Sequence, residues 1–143
     1  MSIGRTFILR LETGEVLHEA IEAFVLENGI ENAFVSAVGG IGPGSKMTVG
    51  PEVPVDDGII PIIHTITEPH ELTATGTVFL DENGDPMMHM HGSAGRDGGA
   101  VTGCLRAGVI AWLVLEVIIM ELIGNGAVRK KDDRTGMRIL EIE

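Results

Sequence analysis

The sequence predicts an α+β fold, a mostly antiparallel β-sheet with one or two helices packed on it. Three observations lead there. From Ile59 onward the chain is a series of runs rich in Ile, Thr and Val, separated by Gly, Asp and Asn turn signals, which is the pattern of short strands joined by hairpins. One stretch near the N-terminus instead carries apolar residues at helical spacing. Hydrophobic residues make up 44% of the chain and aromatics only 3%, with no Tyr, so the core is built from Val, Ile, Leu, Met and Ala. The 143 residues suffice for one domain with a real core, and no repeat or linker divides them, so residues 1–143 are read as a single domain.

Arg5 to Leu11 alternates as a strand. After Thr13-Gly14, Leu17, Ile21, Phe24 and Val25 form one apolar helical face, with Glu15, Glu19, Glu22 and Glu27 on the other side. Glu15 also suits the positive end of the helix, and Asn28-Gly29 supplies the stop. Ala33 to Val38 is an apolar strand running into Gly39-Gly40-Ile41-Gly42-Pro43-Gly44. That glycine stretch follows a strand as phosphate loops do. It lacks the Lys-Ser/Thr ending of a P-loop and the spacing of the dinucleotide fingerprint, so a tight strand-to-strand turn is expected.

Lys46 to Val49 is a short strand and Pro51 to Gly58 a loop. Ile59 to Thr67, Glu71 to Leu80, Met87 to Ala94 and Ala100 to Leu105 are further strands, with hairpin turns at Asp81-Glu82-Asn83-Gly84 and Arg96-Asp97-Gly98-Gly99. Val109 to Leu122 is long enough to bend or to be two strands. The apolar stretch Ala107 to Ile123 is short for a bilayer crossing and carries Glu116 and Glu121, so buried strands are expected and no membrane association.

The net charge of −11 disfavours non-specific contact with phosphate backbones. Arg129, Lys130, Lys131, Arg134 and Arg138 nevertheless supply half of the ten Lys and Arg residues. This cluster reads as a solvated C-terminal loop, the other reading being a local anion or partner contact. The single cysteine makes an intrachain disulfide impossible and suits a reducing, cytoplasmic setting. Met1-Ser2-Ile3-Gly4-Arg5 lacks a basic region followed by an apolar run, so no signal peptide is expected.

The pointed chemical feature is His89-Met90-His91 with Cys104. Strand residues two apart share a face, so His89 and His91 project together. A two-residue Asp97-Gly98 turn sets His91 opposite Cys104 and His89 opposite Arg106; a Gly98-Gly99 turn slides the pairing by two residues and leaves Cys104 on the same face. Two imidazoles and a thiol suit zinc, with iron, nickel and copper the other candidates, and three protein ligands leave a fourth position open. The competing reading is a structural His-x-His and a small buried cysteine. Glu116 and Glu121, from a nearby strand, are candidates for orienting the ligands or for a general base, and also for structural ion pairs. His18, His64 and His70 read as ordinary residues, although His64 or His70 is in a position to complete a site.

The run Gly4-Arg5-Thr6-Phe7-Ile8-Leu9-Arg10-Leu11, the acidic helix, Ala37-Val38-Gly39, His89-Met90-His91, Thr102-Gly103-Cys104-Leu105 and Glu116-Val117-Ile118-Ile119 together resemble the domain conserved in plants and prokaryotes, the PPC domain, over nearly the whole chain. The resemblance implies a sheet with packed helices and a homotrimer. Plant members join the domain to AT-hooks and act as DNA-binding regulators. This chain has no Arg-Gly-Arg-Pro core, so direct DNA binding is disfavoured. Many prokaryotic members carry histidine in a Gly-Gly-His segment where this chain has Thr102-Gly103-Cys104. The family's three-histidine metal site would here become His89, His91 and Cys104. Three roles are therefore carried forward: a trimeric metal-binding protein, a DNA-associated regulatory module, and a scaffold trimer that binds other proteins.

Overall fold

A computed structural model describes residues 1–53 and 58–142. The elements run β1 (Ser2–Glu12), α1 (Leu17–Glu27), β2 (Asn32–Ile41), β3 (Lys46–Pro51), β4 (Pro61–Thr65), β5 (His70–Leu80), β6 (Pro86–Arg96), β7 (Gly99–Cys104), β8 (Ala111–Ile123), β9 (Ala127–Lys131) and β10 (Arg138–Ile142). Eight strands form one sheet in the order β1-β8-β2-β5-β6-β7-β3-β4, and β9 and β10 form a separate two-stranded ribbon. Every pairing between these strands is antiparallel, as expected. The expected loop Pro51 to Gly58 includes residues 54–57, which lie outside the described residues.

The helix forms because Leu17, Ile21 and Val25, four residues apart, present one apolar stripe, and all three are fully buried. They pack on the inward face of the sheet, on Val35 and Ala37 of β2, Leu72 and Val78 of β5, Met88 and Met90 of β6 and Leu115, Val117 and Ile119 of β8. Each such buried aliphatic side chain contributes about 1.5–3 kcal/mol relative to exposure. Phe7 and Phe24 seal the edge of this layer edge-to-face, with ring centroids 5.1 Å apart.

Helix entry differs from the expectation. Val16 precedes the first turn without a side-chain cap, and the Leu17 N–H donates to the Val109 carbonyl (2.8 Å), so a neighbouring backbone segment satisfies the helix end. Glu15 lies before the helix and accepts from the Glu12 N–H (2.7 Å). The stop is as expected: Asn28 closes the helix and Gly29 takes a positive φ of 61°.

The glycine stretch is also different from a simple turn. Gly39 and Gly40 lie within β2, where a side chain at either would collide with β8: a Cβ at Gly39 would come 2.2 Å from the Val114 carbonyl oxygen. The turn itself falls at Gly42–Ser45, where Ser45 N–H donates to the Gly42 carbonyl. Val109 to Leu122 resolves into a single strand, β8, which is central to the sheet and pairs with β1 and β2.

The C-terminal expectation needs correction. The basic run is not a solvated loop: Ala127–Lys131 and Arg138–Ile142 form the β9–β10 hairpin, turned at Gly136 (φ 71°). It docks where Asp81 bridges Arg129, and Arg138 pairs with Asp81 and Glu82 (3.4 Å each).

One register row crosses the outward face of the whole sheet. It reads Ile8, Ile118, Ser36, Thr75, His91, Cys104, Thr48, Ile63, one residue from each of the eight strands. At its β1 end the outward face is apolar and exposed; at its β7 end it carries the candidate ligands.

Candidate metal centre

β6 and β7 form a tight hairpin in which Asp97 and Gly98 both have positive φ (50° and 78°), the conformation of a two-residue type I′ turn. This turn sets the first of the two registers considered. His91 is directly opposite Cys104, and the alternate residues Met88, Met90 and Ala94 go into the core. The apolar demand of the inward face thus fixes the outward placement of His89 and His91. Beyond β7, β3 comes close enough for Thr48 to pair with Cys104. Gly103 allows that approach, since a Cβ there would stand 2.3 Å from the Thr48 carbonyl oxygen.

The Nε2 atoms of His89 and His91 are 3.2 Å apart, with the rings perpendicular and their centroids 4.9 Å apart. The donor atoms of His89, His91 and Cys104 all lie within 4.8 Å of one another. Two nitrogens bound at about 2.0–2.1 Å to a tetrahedral ion stand about 3.3 Å apart, so the imidazole pair already has the required span. Burial holds the His89 imidazole below its ordinary pKa, and the positive charges of Arg129, His91 and Arg106 act in the same direction. A neutral ring is the form that ligates a metal. The imidazole pair therefore has the span that a divalent ion of the zinc type requires, and burial favours the neutral, ligating form of His89.

Arg106 stands beside the histidines, as the register requires. Its Nη1 donates to Glu22 Oε1 (2.7 Å) and to the Met88 carbonyl (3.0 Å), while the Met88 N–H donates to the same Glu22 oxygen (2.8 Å). Glu22, expected on the solvent side of the helix, thus turns back to clamp α1 to the start of β6.

The β9–β10 hairpin flanks the centre, and with His89, His91 and Cys104 it lines a half-open cavity of about 780 Å³. Arg129 projects into it from β9, only 4% exposed. Its Nη2 donates to Thr77 Oγ1 (3.1 Å), and its guanidinium carbon lies 5.6 Å from the Phe79 ring centroid. Burial lowers the Arg129 pKa from its ordinary value; Arg106 adds to this and Cys104 opposes it. Sequence reading placed Arg129 in solvent. The available signal was the alternation in Arg138-Ile139-Leu140-Glu141-Ile142, which marks a second strand and hence a hairpin.

The other candidates fall elsewhere. Glu116 and Glu121 lie on β8, separated from β6 by β2 and β5, a distance of about 14 Å at the usual strand spacing. Neither reaches the centre: Glu116 faces Arg10 across the β1–β8 ladder, and Glu121 binds Arg5 (2.7 Å) at the far end of the sheet. That ion pair, with the Arg5 N–H, pulls the Glu121 pKa down from 4.5 to about 2. His64 is exposed on the edge strand β4, and His70 Nδ1 donates to the Glu68 carbonyl (2.8 Å). His18 sits on α1 with its buried Nδ1 lacking a hydrogen-bond partner among the described residues. None of the three histidines joins the ligand group.

Comparison with known proteins gives the same frame. No curated protein matches the chain. Among solved structures, a metal-containing protein from Archaeoglobus fulgidus superimposes with a TM-score of 0.83 at 27% identity, covering 96% of this chain and 94% of that one. A plant- and prokaryote-conserved (PPC) protein from Pyrococcus horikoshii superimposes at 0.82 with 26% identity, covering 98% and 93%. A Bacteroides thetaiotaomicron protein, provisionally named as DNA-binding, superimposes at 0.79 with 23% identity over 99% and 94%, which speaks to the fold alone. Residues 1–123, from β1 to the end of β8, match the Plants and Prokaryotes Conserved (PCC) domain, and the chain belongs to that family.

Proposed function

We propose that the chain is a homotrimeric metal-binding protein in which His89, His91 and Cys104 hold zinc or another divalent transition metal. The observation that carries this reading is the 3.2 Å span between the two imidazole nitrogens beside an opposed thiol. The metal-containing Archaeoglobus protein of the same fold supports it. An ion with three protein ligands would supply a Lewis acid with an open coordination position. Arg129 and the hairpin beside it would limit what reaches that position. A thiol that serves as a ligand has to stay reduced, which favours the cytoplasm. No helix among the described residues is long and apolar enough to cross a membrane.

The trimer is supported by the exposed apolar stripe of Ile8, Val38 and Ile118 on the outward face of β1, β8 and β2, which α1 leaves uncovered. A DNA-associated module is the second reading, carried over from the family resemblance. The basic cluster does not favour it, because Arg129 is buried, Arg138 is held by Asp81 and Glu82, and Lys130 pairs with Glu141 (3.2 Å).

Metal analysis of protein purified without a metal-affinity tag tests the main reading. About one equivalent of metal per chain is expected. His89→Ala, His91→Ala and Cys104→Ala should each weaken zinc binding by about a hundredfold or more, since losing even a residue that only supports a ligand costs about 10–100-fold. No metal in the wild type, with uptake unchanged in the three variants, would sink the assignment.

A further inference from the structure

The cavity beside the β9–β10 hairpin carries a charge that no described acidic residue neutralises. Its lining includes Arg106, Arg129 and Arg138 and, among the described residues, no Asp or Glu, in a chain that has 21 of them. Two of the three cations have partners, Arg106 in Glu22 and Arg138 in Asp81 and Glu82. Arg129 has no ion-pair partner among the described residues; its one hydrogen bond goes to a neutral hydroxyl, and its buried Nε has no acceptor. A guanidinium this buried is costly unless an anion meets it. The remaining walls are largely apolar, from Met87, Met137, Ile139 and Leu140. A cavity of about 780 Å³ lies within the range that encloses small ligands.

We infer that this cavity binds a small organic monoanion, a carboxylate on an apolar chain, with the carboxylate at the Arg129 guanidinium and the chain against the methionine, isoleucine and leucine side chains. The planar, always-charged guanidinium at the cavity wall suits the paired oxygens of a carboxylate better than a point charge would. One uncompensated cation calls for one negative charge, which favours a carboxylate over a doubly charged phosphate. The hairpin that supplies Arg129 lies beyond residues 1–123, the part that matches the PCC domain. The inference goes beyond the metal reading and needs no bound ion, although His89, His91 and Cys104 form the floor of the same cavity.

Titration calorimetry on the full, untagged, metal-stripped chain tests it, with hexanoate as the probe and hexanol, hexylamine and inorganic phosphate as comparisons. Hexanoate should bind about tenfold or more tightly than each of the other three. Arg129→Met should lose about tenfold or more of hexanoate affinity while melting no lower than the wild type, because the substitution removes an unpaired buried charge. Ile139→Asp, at a half-exposed position on the cavity wall, provides a second variant and should weaken hexanoate by about tenfold through like-charge repulsion. The inference is overturned if hexanoate binds no better than hexanol or phosphate, or if its affinity stays within about threefold of wild type in either variant. Hexanoate binding by a protein that takes up no metal would leave this inference standing and remove the metal reading. Metal uptake without hexanoate binding would do the reverse.

Discussion

His91 and Cys104 face each other directly across the β6–β7 ladder, and a turn with two positive-φ residues sets that pairing. Gly98 occupies φ 78°, where a β-branched side chain is strained. Gly98→Val should therefore destabilise the protein by about 1–2 kcal/mol, measured by urea denaturation. Zinc affinity should fall with it, because the register that opposes His91 and Cys104 would be less firmly held. Unchanged stability would mean that the turn is not what sets the register.

Glu22 accepts from both Arg106 and the Met88 N–H, joining the helix to the strand that carries the histidines. Glu22→Ala leaves a part-buried backbone donor and a cation without their acceptor. A loss of about 1–3 kcal/mol is expected in chemical denaturation. Glu22→Gln, which keeps an acceptor oxygen, should recover part of it. Equal losses in the two variants would contradict the proposed role of the shared oxygen.

The Arg5–Glu121 pair predicts an acid dependence with a definite sign. The folded-state pKa of Glu121 is about 2 against an ordinary 4.5, so the unfolded chain binds the proton more readily. The contribution is fully present above pH 4.5 and fades as the pH falls toward about 2. The difference in melting temperature between wild type and Glu121→Gln should thus be constant near neutrality and shrink across that acid window. A difference that grows on acidification would refute the assignment.

Ile118 lies on the outward face between Ile8 and Ser36, 43% exposed, and takes no part in the inward core. Sedimentation equilibrium should give a trimer for the wild type and a folded monomer for Ile118→Arg, since a charge buried in an apolar contact is costly. A monomeric wild type would remove the trimer proposal, and a trimeric variant would move the interface elsewhere.

The β6–β7 hairpin was legible in the sequence because its determinants are local. An Asp-Gly turn fixes the register, and the strict two-residue alternation of Met88, His89, Met90 and His91 decides which side chains go inward. Helix α1 was legible for the same reason, through the spacing of Leu17, Ile21 and Val25 and the Asn28-Gly29 stop. Its N-terminal end was not, because the first helical N–H is satisfied by Val109, more than ninety positions along the chain.

What the sequence alone determined was the fold class and the convergence of His89, His91 and Cys104, since period and turn chemistry act over a few residues. Strand order was decided only in three dimensions. It carried Glu116 and Glu121 away from the candidate ligands, because β2 and β5 insert between β8 and β6. Tertiary structure also folded the basic C-terminal run into a hairpin beside the centre, burying Arg129 while its neighbours took surface partners. Long-range pairing depends on which surfaces remain to be covered after the local elements have formed, and no single stretch of sequence records that.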